Sequence, residues 1–314
     1  MENPEQLIRD LYAHLLRRMP GDKELDSWAD ALRRGEAFES IFYKFVKSSE
    51  YKSKQRLRCL FPDGHFHSPV VDPDSVKTYV DWSVGQPLRG ITIDIDRMRA
   101  LFERHIPMFR ATRLPSTKES NRRYYLDGSP FPYGDALSLR AMLAEHRPPR
   151  IVEIGSGFST AVMLDAVEDF GFKPRIVCIE PDPTRLKSLM RAGDLSVVEI
   201  VSRNLQTVDL RTFEMLEPGD LLFIDSTHVM KTGSDVHYEL FHILPTLKPG
   251  VLVHVHDIQY PFEYPAKWIY EDNYSWNETY ALRAFLMYNS RFDIVFLGEL
   301  LAPRTRSMVS VSLP

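Results

Sequence analysis

The chain has 314 residues, enough for about two domains with cores that need no disulfide or metal staples. Hydrophobic residues make up 44%, charged residues 26% and aromatics 11%, which excludes global disorder, collagen-like repeats and a coiled coil. The net charge is −4, from 39 Lys and Arg against 43 Asp and Glu, so the chain is not built as a general nucleic-acid binder.

The first 58 residues read as helices only. Leu7, Ile8, Leu11, Tyr12, Leu15 and Leu16 recur at helical spacing. Pro20-Gly21 ends that helix, and Asp22 can cap the next, which carries Leu25, Trp28 and Leu32 as far as Gly35. Phe38, Ile41, Phe42, Phe45 and Val46 form a third stripe. The basic run that follows, from Lys44 to Arg58, reads as a solvated helix face. Residues 59–135 are rich in Pro, Asp, Gly and His. They read as a loop-rich connector with one helix near Ile95–Phe109 and a segment leading to a cofactor roof. His65 and His67 are two apart, as in a metal clip, although solvated loop histidines are far commoner.

A helix starts at about Asp135, and from residue 148, with Pro148-Pro149 at the boundary, the pattern changes to strand, turn and helix, repeated. Strand-like runs are Ile151–Ile154, Ile176–Ile179, Val197–Val201, Leu221–Ile224, Val251–Val255, Ile294–Leu297 and Met308–Leu313. Alternation with helices predicts a parallel sheet covered on both faces. About ten residues join the last two runs, too few for a helical crossover, so these should form an antiparallel hairpin. No apolar run approaches the ~18 residues of a membrane span. The start, MENPEQLIRD, lacks the pattern of a secretory signal. Cys59 and Cys178 cannot make a disulfide framework, and the expected home is a reducing cytoplasm.

Two stretches resemble known families. Residues 5–51, through Tyr12, Leu16, Arg17, Trp28, Gly35 and Glu50, are similar to a helical module of unknown function found in bacterial surface and glycan-associated proteins. That likeness implies a unit that packs or docks a partner or a second subunit. In "RIVEIGSGFSTAVML", Gly155 permits a tight turn between strand and helix and Gly157 lets a ligand approach the backbone. Thr160 sits where a third glycine would complete the dinucleotide fingerprint. The next strand ends "IVCIEPDP", which puts Glu180 at its carboxyl end, where an acid can accept from both ribose hydroxyls of a nucleoside.

"VEIGSGFST" with "IEPDP" resembles the first two motifs of class I S-adenosylmethionine-dependent methyltransferases. The resemblance covers residues 136–314. It implies a Rossmann-like α/β fold, with a seven-stranded, mostly parallel sheet and an antiparallel final hairpin, behind a small all-α N-terminal domain. It implies S-adenosylmethionine as cofactor, with Glu153, Gly155, Ser156 and Gly157 at its amino-acid end, Glu180 on the ribose, and Asn204 or Gln206 near the adenine. Asp225 would border the methyl group.

"LLFIDSTH" puts Asp225 at the tip of the fourth strand with His228 beyond it, and "VLVHVHDIQ" puts His256 and Asp257 at the tip of the fifth. Three readings stay open. Catechol-type and macrocin-type O-methyltransferases carry metal-ligating acids at such tips, and by that likeness Asp225, His256 and Asp257 would hold a divalent ion. His256 departs from the pattern and puts the usual Mg in doubt, because Mn, Fe or Zn tolerates imidazole better. Alternatively His228 or His256 removes the acceptor proton without metal, beside Asp225. In the third reading Asp225 caps a helix and the histidines are structural. His254, mid-strand, reads as packed. Eight aromatics between Tyr260 and Tyr280 suit a wall for a sugar or aryl acceptor, or a lid packed on itself. The expected function is O-methylation of a hydroxyl on a small molecule or glycan. N-methylation, nucleic-acid methylation and a non-catalytic scaffold are the alternatives.

Overall fold

The computed structural model describes residues 3–56 and 61–298. The chain divides into two compact units, with the boundary between Asp72 and Pro73. Residues 73–135, expected as connector, therefore belong with the sheet unit. Cys59 and Arg58 lie outside the described residues.

In the first unit, α1 (Pro4–Leu11) continues through a π-turn to Leu16, followed by α2 (Asp22–Arg33), α3 (Phe38–Lys47) and α4 (Ser49–Arg56). Ile8, Leu11, Tyr12, Leu16, Leu25, Ile41 and Phe45 make its core, with Trp28 tilted on Phe45 at 5.3 Å. Arg17, one of the residues carrying the family likeness, takes a left-handed conformation as the helix ends. The tie across the unit is made by its neighbour: Arg18 forks between Glu24 at 2.7 Å and Glu50 at 2.8 Å. His65 and His67 form no metal clip with any third ligand among the described residues. Their rings stack among Phe61 and Phe66, and His65 Nδ1 accepts the backbone N–H of His67.

The second unit begins with α5 (Pro73–Val84), a helix not foreseen from sequence because its apolar residues are scattered, and α6 (Ile95–Ala111). Then α7 (Tyr133–His146) leads into β1 (Arg150–Ile154), α8 (Phe158–Phe170), β2 (Arg175–Ile179), α9 (Thr184–Leu189) and β3 (Val198–Val201). After α10 (Arg211–Glu214) come β4 (Leu221–Ile224), α11 (Asp235–Tyr238), β5 (Leu252–Val255), α12 (Ala266–Tyr270) and α13 (Glu278–Leu286). The sheet order is β3-β2-β1-β4-β5, and every pairing is parallel. Side chains alternate across it: Ile151, Ile176 and Phe223 pack under α7 and α8, while Val152, Ile154 and Ile224 face Leu205, Phe213 and Ile243. Helices and loops thus cover both faces. The order reverses between β1 and β4, and ligands of open parallel sheets bind at the carboxyl ends flanking such a reversal.

Five strands, not seven, are present among the described residues. Ile294–Leu297 forms no ladder there, and its expected hairpin partner Met308–Leu313 lies outside the described residues. A cavity of about 750 Å³ flanks the outer side of β5, lined in part by Phe109, Tyr133, Met142, Phe285 and Phe292. No described helix is long and apolar enough to cross a membrane.

Candidate active site at the carboxyl ends of the strands

The turn after β1 is stitched to both neighbouring strands. Gly155 N donates to Ile179 O at 3.0 Å, and Asp225 N donates to Ile154 O at 2.8 Å. Gly155 has φ +75°, and a Cβ there would stand 1.8 Å from the carbonyl oxygen of Asp225. Only glycine fits that crossing. Glu180 steadies the same loop, accepting from Ser156 N at 3.2 Å and from Asp182 N at 2.9 Å. It stays half-buried at the tip of β2, with lone pairs left for further donors. Ser156 Oγ is buried without a hydrogen-bond partner. Glu180 and Ser156 Oγ thus keep hydrogen-bonding capacity at the turn.

Glu153 is a correction. Its side chain is wholly buried, and its carboxylate accepts from Ser159 Oγ at 2.6 Å, Thr160 Oγ1 at 2.5 Å and Cys178 Sγ at 3.2 Å. Burial pushes its pKa up to about 7 against those hydrogen bonds. Glu153 therefore fastens the first turn of α8 to the sheet instead of facing a ligand. Gln206 is likewise committed, donating from Nε2 to Gly233 O at 2.8 Å, whereas Asn204 is exposed beyond β3.

At the tips of β4 and β5 four side chains converge. Asp225 Oδ1 lies 3.2 Å from His256 Nδ1 and 3.6 Å from His228 Nε2. Asp257 Oδ2 lies 3.5 Å from His256 Nδ1 and 3.7 Å from His228 Nε2. His228 and Asp257 both have positive φ, at 60° and 56°. Such backbone strain in non-glycine residues is stored where the surroundings over-determine it, often at functional sites. Beyond this group, His228 Nδ1 meets Glu278 Oε2 at 2.8 Å and His256 Nε2 meets Asp135 Oδ2 at 3.1 Å. The first contact forms because Asn277 N and Glu278 N both donate to His228 O, which seats the start of α13 against the loop after β4.

The electrostatics follow from this crowding. Burial disfavours the imidazolium of His228, but Asp225 and Glu278 outweigh it and hold the pKa up to about 9. Burial is likewise outweighed at His256 by Asp135 and Asp225, to about 10. Burial would raise Asp225, but the two imidazoles hold it below the ordinary carboxylate range. Asp257 is raised by burial. A bound cation would displace any proton on the nitrogens facing Asp225 and leave both rings as lone-pair donors.

Sequence reasoning singled out Asp225, His228, His256 and Asp257, and the fold brings all four together. It missed Glu278, Asp135 and Phe131, whereas Trp276 is among the eight aromatics expected as an acceptor wall or a lid. Trp276 lies on the His228 ring at 4.3 Å, and Phe131 stacks on His256 at 4.8 Å. Asp135 was legible only as part of a helix start, and nothing local marks Glu278. His254, as expected, is packed: its ring contacts Phe223 at 4.6 Å, and burial pushes its pKa down to about 4. The aromatic segment packs on itself, with Trp276 touching Tyr264, Trp268 and Tyr274 and reaching the site through His228.

Residues 152–258 match a family model described as a methyltransferase domain. An uncharacterized protein of Archaeoglobus fulgidus is 33% identical over 169 residues, 50% of this chain and 74% of its own length. Among solved structures, an SAH-bound methyltransferase of Podospora anserina, PaMTH1, is 18% identical, with 75% of this chain and 92% of that one covered and a TM-score of 0.35. A structure titled cmcI-D160 Mg-SAM is also 18% identical, with 81% and 89% covered and a TM-score of 0.33.

Proposed function

Because this chain belongs to the class I S-adenosylmethionine-dependent methyltransferases, we propose that it methylates a hydroxyl oxygen of a small molecule or glycan with a divalent ion at the strand tips. The observation that carries this is the meeting of Asp225, His256 and Asp257, with His228, at the carboxyl ends of β4 and β5 beside the Gly155 turn. His256 Nδ1 is buried 3.2 Å from Asp225 Oδ1 without a well-formed hydrogen bond to it, which suits a nitrogen that coordinates.

S-adenosylmethionine, when bound, supplies a methyl group on a cationic sulfur already activated for displacement. The protein's own residues supply alignment and proton management. The Gly155 turn and Ser156 border the cofactor, and Glu180 accepts its ribose hydroxyls. A divalent ion held by Asp225, His256 and Asp257 would act as a Lewis acid toward the acceptor oxygen. Trp276 and its aromatic neighbours wall off water on the His228 side. An alcohol or phenol must lose its proton as the methyl arrives, whereas an amine need not. That difference favours oxygen over nitrogen as the acceptor atom. The helical N-terminal unit we read as a docking or packing unit.

S-adenosylmethionine should raise the melting temperature of the protein, since a ligand of the folded state adds RT ln(1 + [L]/Kd). Glu180→Ala should weaken binding roughly tenfold or more through lost charge-assisted hydrogen bonds. Equal affinity in the variant and the wild type, by isothermal titration, would remove Glu180 from the ribose.

The direct test of the function follows labelled methyl from S-adenosylmethionine to a panel of sugars and phenols. Transfer should stop on chelation, with cofactor binding retained, and return with one divalent ion. Turnover that persists in protein shown to be metal-free would overturn the metal reading and return His228 and His256 to the role of base. Their alanine variants should then slow transfer by roughly 10²–10⁴-fold.

A further inference from the structure

The donor geometry brings His228 to the site. Asp225 Oδ1, Asp257 Oδ2, His228 Nε2 and His256 Nδ1 are separated by 3.2, 3.5, 3.6 and 3.7 Å along the four carboxylate–imidazole edges. Asp225, His228 and His256 each offer one donor atom within 4.8 Å of the others, within reach of a shared ion. Each ring, moreover, has its other nitrogen occupied by a second carboxylate: Glu278 at His228 Nδ1, 2.8 Å, and Asp135 at His256 Nε2, 3.1 Å. A carboxylate only accepts, so each contact keeps a ring hydrogen on the outer nitrogen, and with an ion bound in place of the inner proton the inner lone pair would face it beside Asp225. Carboxylates held behind histidines in this way fix the tautomer and orientation of metal ligands. His256 Nδ1, in a residue only 6% exposed, faces Asp225 and Asp257 without a well-formed hydrogen bond to either.

We infer that His228 is a metal ligand, sharing an ion with Asp225 and His256, and that Glu278 and Asp135 are the positioning residues of the two imidazoles. This rests on the metal reading above. The ion such a donor set selects is a borderline transition metal such as Zn²⁺, Fe²⁺ or Co²⁺, because Mg²⁺ prefers six oxygens and keeps its water. The aromatic faces of Trp276 and Phe131 shield the rings from water on their outer sides.

The test uses the full chain stripped with a chelator, then titrated with Zn²⁺, Co²⁺ and Mg²⁺ separately. Zn²⁺ and Co²⁺ should bind one to one and outcompete Mg²⁺. X-ray absorption of the Zn²⁺ form should show two imidazoles, and the Co²⁺ form should show the intense visible bands of a tetrahedral site. His228→Ala should reduce the imidazole count to one and weaken Zn²⁺ binding by more than 100-fold. Glu278→Gln, which keeps the shape of the side chain, should weaken it by about 10–100-fold. Two outcomes overturn the inference alone: a wild-type count of one imidazole, or unchanged Zn²⁺ affinity and count in His228→Ala. Failure of wild-type protein to bind any of the three ions overturns the metal reading beneath it as well.

Discussion

Replacing Gly155 with alanine is expected to destroy the site and to destabilise the sheet unit. The new Cβ would stand 1.8 Å from the Asp225 carbonyl oxygen, and that oxygen belongs to backbone at the tip of β4, not to a side chain that can swing away. The left-handed φ of +75° adds ~1–2 kcal/mol for any residue with a Cβ. Relief requires β1 and β4 to part, which breaks the Asp225 N to Ile154 O bond and moves Asp225 itself. The loss should reach several kcal/mol, at the upper end of single-substitution effects. Gly157→Ala is the informative control. A Cβ there meets only the flexible Cδ of Arg185 at 3.2 Å. Its melting temperature should stay close to the wild type, so any loss of S-adenosylmethionine binding would report crowding of the ligand alone. A Gly155→Ala protein that melts normally and binds cofactor would contradict the geometry of the turn.

Arg123→Met should be nearly as damaging, at a distance from the chemistry. Arg123 is 4% exposed and joins three segments through its guanidinium. It donates to Asp165 at 3.0 Å and Glu168 at 2.6 Å on α8, and to Asp194 at 2.8 and 2.5 Å ahead of β3. Asp165 also accepts the backbone N–H groups of Arg123 and Tyr124. Burial pushes the Asp194 carboxyl up, and Arg123 holds it below its ordinary range. Removing the cation leaves two buried carboxylates facing each other's field, at a cost of about 3–5 kcal/mol. The melting temperature should fall by on the order of 10 °C. Adding Asp165→Asn and Asp194→Asn to Arg123→Met should recover part of it, because the uncompensated charge is then gone. A single variant within about 1 kcal/mol of wild type would show the network to be dispensable. The consequence for the site is mechanical. The same segment carries Tyr124 and Phe131 into the core, and Phe131 backs the His256 ring.

The sequence by itself determined the local part of this protein. Short apolar runs ending in Gly155, Glu180, Asp225 and His256-Asp257 announce parallel strands whose carboxyl ends bear the polar residues, because burial on both faces demands apolar side chains everywhere else. Helical stripes in the first 58 residues are legible for the same reason, since a 3.6-residue period is written in the order of residues. A run such as Ile294–Leu297, however, reads the same whether it joins a ladder or lies extended against a core. Only a hydrogen-bonding partner distinguishes the two, and none stands beside it among the described residues. The tertiary structure alone decided how each polar group is spent. Glu153 and Gln206 have the residue types of ligand-binding groups, yet packing gives their hydrogen bonds to Ser159, Thr160, Cys178 and Gly233. Which nitrogen each imidazole presents was beyond any local pattern, because Glu278 lies 50 residues from His228 and Asp135 lies 121 from His256. Periodicity encodes burial, which is a property of near neighbours. The direction of a lone pair is set by whatever the folded chain places behind the ring.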